Sequence, residues 1–282
     1  MTGQEAEIRF AAELRPFLVP RHRGGRVPVA CDGVSSLGHV VESLGVPLPE
    51  VGSLVVNGAA VAPAYRLAAG DVAEAGAIRR PQPLPSARFI LDVHLGTLAR
   101  RLRLVGVDAA YANDLDDDAL VERANAGQRV LLTKDRGLLC RRRLWLGAYV
   151  RGARPDDQLR DVLDRFAPPL APWTRCTACN GLLAPVPRGA VEQLVQPGTW
   201  RTYQTFSRCG ACGQVYWRGA HSTRLEEVVD SAARAVAVSR SRHYLLPPEA
   251  RCRAPMPHLS SRIVTRAEQY RARSGVFLHG LE

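Results

Sequence analysis

The sequence is short of lysine and of long apolar runs. No apolar run approaches the roughly 18 residues that cross a bilayer, and Glu5 and Glu7 stand where a signal peptide would be basic and then apolar. We therefore expect a cytoplasmic protein with no membrane partner. Hydrophobic residues make up 46% and charged residues 23% of the 282, which excludes a wholly disordered, collagen-like or coiled-coil chain. This length suits about two domains of roughly 150 residues.

The net charge of +11 is unevenly distributed along the chain. Residues 1–80 are balanced, with 8 basic and 8 acidic side chains, whereas residues 171–224 carry 6 basic side chains and 1 acidic one. A basic field of this kind favours a polyanion such as nucleic acid. A bias in composition would produce the same excess, because only one of the 38 basic residues, Lys134, is a lysine.

Four of the 7 cysteines form two pairs with metal-ligand spacing. The pairs are Cys176 with Cys179 and Cys209 with Cys212, and 29 residues separate them. Four thiolates fill a tetrahedral shell, so we predict a structural Zn²⁺ with no open position for chemistry. The alternative, redox dithiols or disulfides, is less favoured in a compartment that keeps thiols reduced.

Residues 1–80 predict a small α+β domain of the β-grasp type. Strand-like segments cover residues 8–14, 27–31 and 54–58, and an amphipathic helix covers residues 36–44. This pattern resembles the ubiquitin-like sulfur-carrier group. Carriers end in a free Gly-Gly, whereas here Gly76 is followed by Ala77 and the chain continues. We therefore favour a binding or scaffolding module over the alternative hypothesis of a sulfur-transfer or redox protein.

A proline-rich segment, residues 79–86, predicts a stiff linker before a second domain at residues 86–170. The second domain alternates strand, helix, strand, helix and strand, ending with a strand at residues 129–133. A further helix opens at Asp156 and Asp157. Short alternating elements of this kind build a parallel sheet with helices on both faces, so the fold class is α/β.

Three aspartates are expected at one edge of that sheet. Asp92 and Asp135 follow the first and third strands, and Asp117 starts the second helix. Because parallel strands end at the same edge, the carboxylates would converge there and need a cation such as Mg²⁺ or Mn²⁺. The alternative is that each is a turn residue or a helix cap. The same loop also holds Asp114, Asp116 and Asp118. We therefore expect the loop to supply one metal ligand, and any of its four aspartates could be that ligand.

A family resemblance rests on several segments of the sequence. The chain resembles the PIN-like ribonuclease family named for the C-terminal region of the Mut-seven exonuclease, over about residues 86–224. Bacterial members of that family commonly carry a ubiquitin-like N-terminal domain. The segments that carry the resemblance are Leu91–Arg103, Asp117–Leu120, Leu131–Arg136, Gln158–Leu159, Arg175–Gly181 and Tyr216–His221.

The resemblance implies metal-dependent hydrolysis of RNA by Asp92, Asp117 and Asp135, and a zinc ribbon at residues 171–224. Basic side chains would position phosphates without reading sequence. The competing hypothesis is a non-catalytic adaptor that binds RNA or the ribosome and keeps a degenerate nuclease fold. The phosphate contacts that we expect are Arg100, Arg101, Arg103, Lys134, Arg136 and Arg141.

Residues 225–282 have no counterpart in the resemblance. They predict an amphipathic helix that begins at Leu225, followed beyond Ser239 by a basic, poorly ordered tail.

Overall fold

The computed structural model describes residues 5–219 and 222–244. Its N-terminal sheet has five strands in the order β2-β1-β5-β3-β4. The predicted first strand ends earlier than expected, because residues Ala12–Phe17 form a 3-10 helix that contains Pro16. The elements of this part are β1 (Glu5–Phe10), β2 (Arg26–Ala30), α1 (Leu37–Ser43), β3 (Val51–Val56), β4 (Ala59–Ala60) and β5 (Val72–Ala77).

Helix α1 forms where the sequence predicts it. The Ser36 hydroxyl oxygen accepts a hydrogen bond from the His39 backbone N–H at 3.3 Å, which caps the first turn. Leu37 and Val41 are fully buried against the sheet. Gly45 follows the helix at a φ of 98°, a conformation that side chains rarely adopt.

The second sheet has four parallel strands in the order β7-β6-β8-β9. The sequence predicted three of these strands. Strand β9 was missed because Gly-Ala-Tyr carries no alternating pattern. The elements are β6 (Arg88–Leu91), α2 (Gly96–Leu104), β7 (Asp108–Tyr111), α3 (Asp117–Ala126), β8 (Val130–Thr133), α4 (Arg136–Leu139), β9 (Gly147–Tyr149) and α5 (Pro155–Phe166).

Helices cover both faces of the parallel sheet. Leu91 shares one core with α2 and α5, whereas Ile90 and Leu131 share another with α3. Helix α7 (Ser222–Tyr244) packs on α5 and buries Ala232 and Val236. The poorly ordered tail was predicted beyond Ser239, but the helix continues to Tyr244, and the remaining residues of the predicted tail lie outside the described part of the chain. Within residues 5–219 and 222–244, no helix is long and apolar enough to span a membrane.

The third sheet is antiparallel, in the order β10-β11-β12. Its small core consists of Val191, Phe206 and Val215, and Val191 comes from a 3-10 helix at Arg188–Leu194. The elements are β10 (Leu183–Val186), α6 (Pro197–Thr202), β11 (Phe206–Cys209) and β12 (Val215–Trp217).

The proline-rich segment between the first two sheets has no helix or strand. It is nevertheless attached to α5. Arg80 forms ion pairs with Asp161 at 2.7 Å and Asp164 at 3.2 Å, and the Gln82 N–H donates to the Arg165 carbonyl at 2.5 Å. The linker is therefore fixed to α5 by ion pairs and a backbone hydrogen bond.

Candidate functional site

The carboxyl edge of the parallel sheet brings two of the predicted aspartates to neighbouring strands. Asp92 follows β6 and Asp135 follows β8, and these strands pair with each other. Asp92 is 6% exposed. By the alternation of side chains along β6, Asp92 lies on the Ile90 side, where α3 begins. Helix α3, which begins at Asp117, follows β7, and β7 pairs in parallel with the other side of β6, so the topology directs the start of α3 to the same edge.

A buried threonine joins Asp92 to Asp135. The Thr133 hydroxyl donates to Asp92 Oδ2 at 2.7 Å and accepts the Asp135 backbone N–H at 2.8 Å. Thr133 has no exposed surface. Sequence reasoning missed this residue, and the signal available was a hydroxyl side chain directly after three apolar residues of β8. One hydroxyl thus sets the relative position of two candidate ligands.

The helix-cap alternative holds for one of these two aspartates. Asp135 Oδ1 accepts the Gly137 N–H at 2.6 Å and caps α4. Asp92 stands at the equivalent position before a 3-10 helix, but its side chain makes no capping hydrogen bond. Within the described part of the chain, Asp92 has no ion-pair partner. A carboxylate so buried and so little paired is a good ligand for a cation.

Asp117 is engaged by an arginine. Arg141 Nη2 lies 3.1 Å from Asp117 Oδ2, and the other arm of the same guanidinium contacts Asp118. Asp116 caps α3 by accepting the Ala119 N–H at 2.8 Å. Among residues 5–219 and 222–244, only the four cysteines form a set of three or more candidate metal ligands whose ligand atoms lie within 4.8 Å of one another.

The predicted phosphate contacts separate into exposed and engaged residues. Arg100 is exposed on α2. Arg101 forms an ion pair with Asp156 of α5. Lys134, which directly precedes Asp135, is exposed and donates to the Gly152 carbonyl at 2.6 Å. Of the predicted contacts, Lys134 directly precedes Asp135 along the chain, and Arg141 contacts Asp117 and Asp118.

Arg103 is a correction to the predicted set. Its side chain is 2% exposed, so its guanidinium is not available to a phosphate. It donates instead to the carbonyls of Ala109 at 2.8 Å, Thr177 at 3.0 Å and Ala178 at 2.7 Å. The helical pattern placed Arg103 off the apolar stripe of α2. The cysteine-bearing segment packs over that side of the helix and buries it.

The N-terminal sheet lies beside the candidate edge. Arg136, the residue after Asp135, donates from Nη1 to the Phe17 carbonyl at 2.6 Å. Arg151, just beyond β9, donates to the Glu13 carbonyl at 3.3 Å. The Phe17 ring packs edge-on against Tyr149 with centroids 5.0 Å apart.

A buried ion pair secures the same interface. Glu50 and Arg165 are 0% and 1% exposed and contact each other directly. Glu50 also accepts the Tyr149 N–H at 2.9 Å, while Arg165 donates to Gln82 at 3.0 Å and to the Pro49 carbonyl at 3.0 Å. Burial lowers the pKa of Arg165, and the Glu50 carboxylate opposes this shift. The ion pair ties the first sheet to α5.

The four cysteines meet as their spacing predicts. Cys176 and Cys212 have their Sγ atoms 3.6 Å apart, and those of Cys179 and Cys209 are 3.4 Å apart. Four sulfurs at about 2.3 Å from one Zn²⁺ would be roughly 3.8 Å from each other, so the cluster fits that ion. The set of donors is soft and complete, which suits a structural site.

The surroundings of the sulfurs act in opposite directions on Cys176 and Cys179. Burial acts to raise the pKa of Cys176, but the Tyr216 hydroxyl at 3.1 Å and nearby backbone amides bring it down to about 6. Burial and the neighbouring sulfurs raise the pKa of Cys179 to about 12. A bound cation would favour the thiolate form of all four cysteines, because metal ligation requires deprotonated sulfur.

The cysteine-bearing segment docks on the free edge of β7, at the amino end of that strand. The Asn180 side chain accepts the Ala109 N–H at 3.1 Å and donates to Asp108 at 2.8 Å. Although burial acts to raise it, hydrogen bonds from Arg129 and Asn180 hold the pKa of Asp108 below its usual value. The cysteine cluster therefore stands at the opposite end of the sheet from Asp92.

Two family models match the chain. The model described as Mut7-C RNAse domain matches residues 87–229, and the model described as Mut7-C ubiquitin matches residues 3–82. No curated protein and no solved structure matches the chain. The first match includes Asp92, Asp117, Asp135 and all four clustered cysteines, and it spans more than half of the sequence. The chain therefore belongs to the Mut7-C RNAse domain family, with a ubiquitin-like domain at its N-terminus.

Proposed function

We propose that the protein is a metal-dependent ribonuclease whose site is the carboxyl edge of the parallel sheet. Asp92, Asp117 and Asp135 would hold Mg²⁺ or Mn²⁺. The observation that carries the proposal is Asp92, which is 6% exposed, caps no helix and is fixed by the Thr133 hydroxyl. When bound, the ion would lower the pKa of a water molecule and offset charge on the phosphodiester.

The protein's own residues would hold and orient the substrate. Arg100, Arg101, Lys134 and Arg141 would contact phosphates, which would set the register of the strand but read no bases. Arg141 sits between Asp117 and Asp118. It could therefore exchange a carboxylate for a phosphate at small cost, since exposed ion pairs contribute only about 0–1 kcal/mol.

The parallel sheet with helices on both faces supports a PIN-like assignment for the central domain. The antiparallel sheet with two cysteine knuckles supports a zinc ribbon with structural Zn²⁺. We place the protein in the cytoplasm, where its thiols would stay reduced.

A non-catalytic adaptor that binds RNA or the ribosome is the second candidate function. Two observations favour it: Asp135 caps α4, and Asp117 is paired with Arg141. Both carboxylates thus have partners without a metal. Cleavage rather than binding distinguishes the two candidates.

The test is incubation of the purified protein with total RNA, with Mn²⁺ or with a chelator, followed by mapping of the fragment ends. We expect cleavage that needs Mn²⁺ and leaves 5′-phosphates. Asp92→Asn should abolish cleavage, because it removes a ligand charge while keeping the Thr133 hydrogen bond. Asp230→Asn, an exposed position on α7, is the matched control. Binding of RNA in chelator with no cleavage under any metal would support the adaptor instead.

A further inference from the structure

The helix that follows Asp135 is held at both ends by the ubiquitin-like domain. At its start, Arg136 Nη1 lies 2.6 Å from the Phe17 carbonyl and 3.5 Å from that of Gly45. At its end, burial and the charge of the Glu42 carboxylate raise the pKa of Cys140 to about 11. Helix α4 therefore meets the N-terminal domain through its first residue, Arg136, and close to Cys140, which follows its last residue.

Helix α4 has little stability of its own. It has only four residues, whereas an isolated helix needs roughly 12–15 to form in water. Leu138 and Leu139 pack inward on the central domain, whereas Arg136 and Gly137, which begin the helix, are exposed. The position of that turn matters because Asp135 caps it through the Gly137 N–H at 2.6 Å.

Close packing at the interface depends on a glycine. Gly45 has a φ of 98°, and a Cβ there would lie 2.8 Å from the Phe17 carbonyl oxygen and 3.4 Å from Arg136 Nη1. Arg136 therefore reaches the Phe17 carbonyl only because position 45 has no side chain. Gly58, in the same domain at a φ of 83°, has nothing within 4 Å of such a Cβ.

We propose that the ubiquitin-like domain is a structural part of the catalytic edge, and that Arg136 is a positioning residue through which it places Asp135. The proposal rests on the proposed function for the role of Asp135. The ordering of α4 by the N-terminal domain does not depend on it. The Phe17 carbonyl fixes Arg136, Arg136 fixes the first turn of α4, and that turn orients the carboxylate that caps it. The proposal replaces the phosphate contact that the sequence predicted for Arg136.

The experiment compares full-length variants by hydrogen–deuterium exchange and by Mn²⁺ binding. Arg136→Ala and Gly45→Ala should speed amide exchange at residues 136–141 and weaken Mn²⁺ binding by roughly tenfold, the size typical of lost support behind a metal ligand. Arg136→Lys, which keeps one donor for the Phe17 carbonyl, should recover part of both. Gly58→Ala and Arg234→Ala, an exposed arginine on α7, should match the parent protein.

Steady-state cleavage separates positioning from phosphate binding. A positioning role predicts that Arg136→Ala lowers kcat and leaves KM for RNA within about twofold, since misplacement acts on the reacting geometry. A phosphate contact predicts a raised KM with Mn²⁺ binding in the absence of RNA unchanged, and that result would overturn the proposal. Equal effects of Gly45→Ala and Gly58→Ala on exchange would also overturn it.

Failure of the proposed function would look different. In that case the parent protein would neither bind Mn²⁺ nor cleave RNA. Faster exchange at residues 136–141 in Arg136→Ala and Gly45→Ala would then still support the ordering of α4 by the N-terminal domain, and unchanged exchange would refute it.

Discussion

At the scale of single residues, the site depends on a threonine that is neither charged nor exposed. Thr133 uses its hydroxyl as a donor to Asp92 and as an acceptor from the Asp135 N–H. A side chain at this position must both donate and accept a hydrogen bond to satisfy the Asp92 carboxylate and the Asp135 N–H. Thr133 thus links the carboxylate of Asp92 to the backbone of Asp135.

Thr133→Val should separate this role from simple packing, because valine keeps the shape and removes the hydroxyl. We expect a loss of about 1–3 kcal/mol in the free energy of unfolding, since a buried carboxylate oxygen loses its partner. Mn²⁺ binding should weaken by roughly tenfold. Urea unfolding and Mn²⁺ titration measure the two effects. Thr133→Ser, which keeps the hydroxyl, is the control, and equal behaviour of the two variants would contradict the assigned role.

At the scale of elements, helix α2 connects the sheet to the cysteine cluster. Arg103 on this helix donates to the carbonyls of Thr177 and Ala178, which lie between two of the cluster cysteines. Asn180 then covers the free edge of β7 through the Ala109 N–H. An exposed strand edge invites pairing with other chains, so the cysteine-bearing segment also protects the sheet.

Arg103→Leu should loosen that connection, because three carbonyls lose a charged donor. The purified protein should contain one Zn²⁺ per chain, and the variant should release it to a chelator faster than the parent. Its free energy of unfolding should fall by about 1–3 kcal/mol. Release is followed with a chromogenic chelator. Arg100→Leu, at an exposed position of the same helix, should behave like the parent, and identical release from both variants would remove Arg103 from the zinc site.

At the scale of the whole molecule, the other two sheets are arranged around the central parallel sheet. The ubiquitin-like domain stands beside the carboxyl edge of β8 and β9, and the cysteine cluster stands at the amino end of β7. The first arrangement is secured by Glu50 and Arg165, which lie far inside the interface. Removing one partner of a pair buried this deeply leaves the other charge uncompensated away from water.

Arg165→Met should therefore be strongly destabilising, since it leaves the Glu50 carboxylate buried with less compensation. We expect a loss of about 3–5 kcal/mol in the free energy of unfolding, and recovery of a large part of it when Glu50→Gln is added. Urea unfolding of the full-length protein measures both. Arg160→Met, exposed on the same helix, should change stability by less than about 0.5 kcal/mol. A double variant no more stable than Arg165→Met would contradict the pairing.

Several features of the fold follow from short stretches of sequence. The helix over residues 36–44, the helix that opens at Asp156 and Asp157 and the meeting of the four cysteines were all predicted and are all present. Each depends on residues close together along the chain, or on a ligand spacing that allows one arrangement. Parallel strand direction likewise brought Asp92 and Asp135 to one edge.

Other features were decided only by tertiary structure. The sequence pattern treats Arg103 and Arg136 as two more exposed cations, and it says nothing about Glu50 or Thr133. One arginine is buried by the cysteine-bearing segment, the other is received by a carbonyl 119 positions away, and Glu50 meets Arg165 across 115 positions. The physical reason is that local periodicity determines which face of an element is apolar. Which backbone carbonyl or charged side chain of another element contacts the polar face depends on how the sheets pack against each other.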